Sequence, residues 1–439
     1  MKTTRWIVPA IWSACGLSLV GDLADMREAK AAAAVLFSVV LLLHRGPWMR
    51  RASGRLAVAI AGGAVILVAL HGHSAALVVG AAQNVSVVVL LLCVSLLRLP
   101  VKVSGLDQEL ALPLRHVGEK ARVFAVTLLS SLLAPILNLG TVAFLGAFLK
   151  GRSNPEASVP QAITRGVGAA MLWSPTFAPV ALVMAAFPQV SWASTIPIAM
   201  PLLAFAVILA LLVGGGRVAI PDLGTLREGV NLLRVATLMA AVAGAIGTFR
   251  VAIGFPVTAS VSLAGLVGFL LWFSCLDRIS FDRVLKAAAE HTSVFFDQIA
   301  AEAALFLAAG LLAQAFSVPH WAAILDRALG FVHQPTWQAM ASIVWGVPLL
   351  AVLGVHPIVP FSILVHFVTA DSLGVSPPVL YMMWVVVWML SLIVSPASAL
   401  NMAASASFGL SSWRLGSGSN WVFGAAFAMV ALLVLHNHS

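Results

Sequence analysis

The chain has 439 residues, of which 61% are hydrophobic and 9% charged, with a formal net charge of +9. Soluble domains carry about 25% charged residues, so this composition excludes a soluble enzyme and indicates an all-α polytopic membrane protein. The basic residues fall in short connections between apolar runs, so they report membrane orientation, and no nucleic-acid partner is expected.

A crossing helix needs ~20 apolar residues. Residues 1–30 hold an extra N-terminal helix with its crossing at Trp6–Val20, and 31–213 form a first repeat. That repeat opens with Ala31–Leu43, Leu56–Leu70 and Ala75–Leu97, followed by an amphipathic surface segment, Pro100–Glu119. The apolar run 122–150 is interrupted by Ala134-Pro135-Ile136-Leu137-Asn138-Leu139-Gly140-Thr141, where Pro, Asn and Gly give turn chemistry. Each half is too short to cross, so a re-entrant hairpin with its tip near Asn138 is predicted. A broken helix follows over 162–187, where Pro175 and Pro179 each remove a helical hydrogen bond. Ile196–Val213 closes the repeat, and 214–234 is a polar cytoplasmic linker.

The second repeat, 235–439, begins with Val235–Thr248, Val257–Cys275 and Val284–Phe316. Arg327–Gln334 is a polar surface stretch. A second hairpin spans 341–368, interrupted by Val355-His356-Pro357 and Pro360. A second broken helix spans 377–408, interrupted at Ser395-Pro396-Ala397-Ser398-Ala399-Leu400-Asn401, and Trp421–Leu435 is the last crossing. Ser174 and Ser395 stand 221 residues apart, and at that offset Pro175/Pro396, Ala178/Ala399, Ala185/Ala406 and Phe187/Phe408 also coincide. The tips, Asn138 and His356, stand 218 apart.

The expectation is therefore about eleven transmembrane helices plus two re-entrant hairpins, in two inverted-topology repeats with broken helices. Each repeat crosses an odd number of times, which inverts the second. With a cytoplasmic N-terminus, 21 of the 25 basic residues fall inside, Arg98 and Arg165 among them, and Arg27, Lys30, Arg250 and Arg327 fall outside. That split satisfies the positive-inside rule for a multi-pass inner-membrane protein with its C-terminus on the periplasmic side.

Unwound backbone at membrane depth is tolerated where protein buries it or a wet cavity lines it. Two hairpin tips and two unwound loops would make a polar pocket there. Its candidate substrate- and ion-binding residues are Asn138, Thr141, Ser174 and Thr176 from the first repeat, and His356, Ser395, Ser398 and Asn401 from the second. Half-helix N-termini favour anions and C-terminal carbonyls favour cations. These stretches contain no Arg or Lys. Asp297 and Glu302 lie inside Val284–Phe316 and, with His356, are the proton-coupling candidates. Cys15, Cys93 and Cys275 lie singly in apolar runs, so no thiolate metal site is expected. No cofactor is expected beyond a coupling ion, H+ or Na+.

This architecture resembles the ion transporter superfamily, which includes divalent anion/sodium symporters, arsenite permeases and aminobenzoyl-glutamate transporters. Members like the divalent anion symporters carry Ser-Asn-Thr at both hairpin tips. Here the first tip has Asn138 and Thr141 without that triplet, and the second has His356-Pro357. The resemblance implies a mobile bundle of hairpins and broken helices moving against a scaffold, elevator fashion, often as a homodimer. The function expected is ion-coupled transport of a small solute, an organic or inorganic anion. The alternatives are a membrane-embedded transferase or polymerase acting on lipid-linked substrates, or a passive channel. The chain has no HExxH, GxSxG or Walker sequence, and its longest outer loop, about Ser317–Gln338, is short for a catalytic one.

Overall fold

A computed structural model describes residues 4–70, 75–111, 114, 119–149, 158–213, 232–275, 281–330 and 336–439. Most of the expected linker, 214–231, lies outside the described residues. The described residues form helices and contain no strand.

In chain order, α1 (Thr4–Leu23) and α2 (Arg27–Leu43) pack together across a turn at Asp25, whose φ is 51°. A short α3 (Arg45–Trp48) leads to α4 (Ala52–Ala69). The run 75–95 is one crossing interrupted at Asn84, giving α5 (Ala75–Gln83) and α6 (Val85–Ser95). The amphipathic segment forms α7 (Arg98–Val103) and α8 (Leu106–Ala111). The first hairpin is α9 (Glu119–Leu137) and α10 (Gly140–Leu149), and the first broken helix is α11 (Ser158–Ala170) and α12 (Ala178–Ala186). Then comes α13 (Trp192–Val213).

The second half holds α14 (Leu232–Gly247), which ends in a wide π turn at Thr248–Ala252, then α15 (Val257–Cys275) and α16 (Phe281–Phe316). After α17 (Pro319–Ala328) come α18 (Thr336–Val352) and α19 (Ile358–Leu364), the second hairpin, and a short α20 (Ala370–Leu373). The second broken helix is α21 (Pro377–Val394) and α22 (Ala399–Phe408). A π turn at Arg414–Ser419 leads to α23 (Asn420–Asn437).

The protein is thus an all-α polytopic membrane protein. By length and composition, seven stretches of the described residues can cross a bilayer. They are α1, α4, α5–α7, α13, α16, α21–α22 and α23. The remaining expected crossings are α2, which starts with three charged residues in four, α11–α12, parted by the unwound loop, and the shorter α14 and α15.

The helices sort into two groups. α16 runs along α4, α5 and α6, with α15 against α6 and α1 against α2. The hairpins, broken helices, α13 and α23 form the other group, in which α9 packs on α11, α18 on α21, α10 on α22 and α13 on α23. The groups meet where α12 touches α6 and α15, and where α19 lies on α16. Within the second group α21 is the central strut. From Val379 to Val394 every residue but Leu392 is buried, the pattern of a helix surrounded by protein. By contrast, α4 exposes most of its apolar surface, as a lipid-facing helix does.

Glycine sets the closest crossing in the first group. A side chain on Gly310 of α16 would begin 2.2 Å from the Gly80 carbonyl oxygen of α5. Neighbouring backbones can approach this closely only without a Cβ. Gly310→Val is therefore expected to destabilise the protein by about 1–3 kcal/mol, seen as a lower melting temperature in detergent. Gly63→Ala, which faces open space, is expected to leave it unchanged.

Candidate functional site

The first break follows from the two prolines. α11 stops at Ala170, and Met171, Leu172 and Trp173 make tight i→i−3 bonds back to Gly168, Ala169 and Ala170. Pro175 offers no N–H. Pro179 sits in the first turn of α12, where a missing N–H costs nothing. Inside the gap, Thr176 Oγ1 donates to the Pro135 carbonyl of the first hairpin at 2.6 Å. Its one proton is then used, so Ser174 Oγ, 3.0 Å away, donates to it. Both side chains are buried.

The second break uses a different set of bonds. α21 ends at Val394, and Ser395 and Ser398 are extended. Ser398 caps α22 by accepting from the Asn401 N–H at 3.1 Å. Asn401 Nδ2 donates to the Ile393 and Ser395 carbonyls at 2.8 and 2.9 Å and to Leu392 O at 3.3 Å. These are carbonyls that the end of a helix leaves without intrahelical partners. Ser395 Oγ donates to the Ala351 carbonyl of the second hairpin at 2.7 Å. Each break is thus bonded to the outgoing arm of its own hairpin through a hydroxyl.

Asn138 forms the first tip in the left-handed conformation, φ 51°, which Asn tolerates better than other side-chain-bearing residues. Its Oδ1 accepts from Leu139 N at 2.9 Å, holding the turn. Thr141 starts the return arm, fully buried, and its Oγ1 has no hydrogen-bond partner. At the second tip His356 Nδ1 accepts from Ile358 N at 3.2 Å. The His356 ring lies edge-on to Trp388 of α21 at 6.3 Å, and Phe361 lies edge-on to Trp384 at 5.1 Å. The second hairpin therefore docks on α21 through aromatic rings.

The structure groups the eight residues by repeat. Ser174 and Thr176 join the first hairpin, and Ser395, Ser398 and Asn401 join the end of α21. Asn138 and His356 bond within their own turns. The repeats meet one turn from the breaks, where Gly168 of α11 lets Ile393 Cδ1 come within 2.4 Å of the place a side chain would occupy. Six of the eight side chains are buried, and Asn138 and His356 are half-buried. The fully buried atoms among them that lack a partner are two acceptor-capable oxygens, Thr141 Oγ1 and Asn401 Oδ1.

Three placements differ from the sequence reading. Arg165, counted among cytoplasmic loop residues, is 1% exposed in the middle of α11. Its Nε donates to Asn420 Oδ1 at 2.9 Å, with longer bonds to Gln161 and the Ala210 carbonyl, and it lies over the Phe423 ring. Asn420 Nδ2 in turn reaches Thr164 Oγ1 at 3.0 Å and the Ile393 carbonyl at 3.3 Å. A charge is thus buried behind the site, and its only sequence signal is a lone Arg among apolar and small residues.

Asp297 is not deep. Its side chain is 55% exposed, 2.6 Å from His44 Nε2 at the α2–α3 corner. Arg51 donates to the Gln298 carbonyl beside it. α16 has 36 residues, so at ~1.5 Å per residue it is about 54 Å long, far more than a bilayer core. The basic corner before α4 contacts it near its middle. Glu302 lies one turn further along, largely buried, with Oε2 unpartnered.

Arg98 is the third. It starts α7, and its guanidinium reaches the first hairpin tip, where Cζ and Nη1 each lie 3.9 Å from where a side chain on Gly140 would begin. The stretches that form the tips hold no cation, but the fold brings one to them.

No family model and no curated protein matches the chain. Among solved structures it is similar to the YdaH transporter of Alcanivorax borkumensis, described as having an unusual topology. Identity is 15%, the TM-score is 0.54, and the match covers 80% of this chain and 83% of that one. At this identity the likeness is one of fold. The protein is a polytopic helical membrane protein whose fold is shared with a transporter.

The Arg165–Asn420 contact can be tested by coupling. Asn420→Leu leaves the buried guanidinium without its Nε acceptor and is expected to cost about 3–5 kcal/mol, measured by unfolding in detergent. Arg165→Met combined with Asn420→Leu is expected to cost less than Asn420→Leu alone. Simple additivity of the two single variants would show that the contact carries no energy.

Proposed function

We propose that the protein is an ion-coupled secondary transporter of a small anion, working by elevator-type alternating access in the inner membrane. The observation that carries this reading is the pair of interrupted helices, one in each half, each bonded through a hydroxyl to its own hairpin. Interrupted helices at corresponding positions of two halves are the recurring substrate sites of secondary transporters. The division into a buried bundle around α21 and an outer frame along α16 supports relative movement of the two. The likeness in fold to the YdaH transporter supports transport as the class of activity.

In this reading Ser174, Thr176, Ser395, Ser398 and Asn401 form the walls of the substrate and ion sites, and Asn138, Thr141 and His356 close them at the hairpin tips. Asn401 Oδ1 and Thr141 Oγ1 are buried oxygens with bonding capacity left over: either can enter a sodium shell, and the Thr hydroxyl can also donate. Of the two acids Glu302 is the better proton-coupling candidate, because Asp297 is exposed and already pairs with His44. The N-terminus is cytoplasmic, the C-terminus periplasmic, and the working unit a homodimer.

The test is uptake into proteoliposomes with imposed sodium or proton gradients, across carboxylates and inorganic oxyanions. Concentrative uptake driven by one gradient supports the reading, and flux that only equilibrates would assign a passive channel instead. Asn401→Ala is expected to lower uptake at least tenfold while the protein still purifies as a single species. Asn138→Gly keeps the left-handed turn but removes the side chain, so it separates the two roles of that residue. It is expected to keep wild-type melting and lose uptake, and wild-type uptake would confine Asn138 to holding the turn.

A further inference from the structure

We propose that the corner between α2 and α4 is a binding site for the headgroup of an anionic phospholipid. Residues 44–55 carry four arginines, Arg45, Arg50, Arg51 and Arg55, and no acid. The chain has no Asp or Glu anywhere between Lys30 and Asp107. Orientation by the positive-inside rule asks only for an excess of Lys and Arg. Three other basic connections, 98–122, 214–234 and 276–290, interleave their cations with acids. All four arginines of the corner are exposed, and none pairs with a carboxylate of the described residues.

Four contacts fix the corner. The Trp48 indole donates to the Leu41 carbonyl at 2.9 Å and seats the turn on the end of α2. A side chain on Gly54 would begin 2.1 Å from the Trp48 carbonyl oxygen, so glycine lets the first turn of α4 close against α3. His44 Nε2 lies 2.6 Å from Asp297 Oδ1, and Arg51 donates to the Gln298 carbonyl, which fastens the corner to α16. Asp297 is thereby taken up by His44, and the side chains of Arg45, Arg50 and Arg55 have no hydrogen bond or ion pair among the described residues.

Lipid is the occupant that the surroundings fit. α4 is apolar and long enough to cross a bilayer from Ala52, so Arg55, in its first turn, stands at headgroup level. Leu42 and Leu43, 63% and 66% exposed, and Met49 flank the guanidiniums, so a ligand here meets charge and apolar surface together. A phosphodiester held by guanidinium forks, with its acyl chains along Leu42 and Leu43, uses both, whereas a soluble anion uses only the charge. The rigid corner lowers the ordering cost of binding. Binding here involves neither the breaks nor the hairpins and does not depend on transport.

The experiment compares the melting temperature of the full chain in nanodiscs of phosphatidylcholine alone and with increasing phosphatidylglycerol. A ligand of the folded state raises the melting temperature with dose, and phosphatidylglycerol is expected to do so. Each arginine removed is expected to raise the phosphatidylglycerol fraction needed for half the effect about fivefold. Arg45→Gln, Arg50→Gln and Arg55→Gln together are therefore expected to abolish the shift. A second triple variant, Lys102→Gln, Arg283→Gln and Lys286→Gln, removes the same charge elsewhere and is expected to keep it. Arg50→Gln alone, which breaks none of the four contacts, decides by its fivefold change if the corner triple variant folds poorly.

No rise with phosphatidylglycerol overturns the site, and so does a rise unchanged in the corner variants. Equal loss in the two triple variants also overturns it, because the lipid would then answer to diffuse surface charge. An equal rise with inorganic phosphate in phosphatidylcholine nanodiscs overturns the lipid assignment in favour of a soluble anion.

Discussion

A peptide group released from a helix inside a bilayer has no water to bond, and this chain releases two sets of them. The rest of the bundle is arranged around meeting that demand. At the first break, tight turns absorb the N–H groups and proline removes one altogether. At the second, a single amide, Asn401, collects carbonyls from the end of α21. In both, a hydroxyl bonds the loop to a hairpin carbonyl, so neither break can shift without its hairpin. That coupling explains why α21 is enclosed by protein on all sides. Loops of this kind are stable only within a shell that also satisfies them.

Charge is handled by the same economy. Arg165 is buried behind the breaks, and its amide partner Asn420 also reaches the Ile393 carbonyl that Asn401 serves. The positive charge is thereby spread over dipoles that end at the second loop. Arg98 lies instead over the Phe295 ring, beside the first hairpin tip. The outer frame carries its acids differently again, with Asp297 exposed against His44 and Glu302 five residues further along α16.

Where the chain breaks was legible in the sequence, because Pro, Asn and Gly act on their own backbone. α9 and α21 end within two residues of Asn138 and Pro396, and α11 and α18 within five of Pro175 and His356-Pro357, for that reason. What the breaks touch was not legible. The approach of Arg98 to Gly140 spans forty-two positions and depends on how α7 sits against the tip. Arg165 looked like a loop cation because sequence alone does not distinguish a buried guanidinium with distant partners from a solvated one. Asp297 lies in an apolar run, and nothing in that run tells that its side chain stays exposed against His44. The π turns after α14 and before α23 likewise have no residue that announces them.

The burial of Arg165 also constrains how the protein is made. Neither α11, with 13 residues, nor α12, with 9, is long enough to enter a bilayer alone. A central Arg adds about 2.5–3.5 kcal/mol to the cost of insertion. Its main partner, Asn420, is synthesised 255 residues later. At ribosomal rates of about 5–20 residues per second that is a wait of roughly 13–50 s. During it, the first broken helix must stay near the translocon or in a wet vestibule with its charge hydrated. Closure of the first repeat around Arg165 therefore waits for α23.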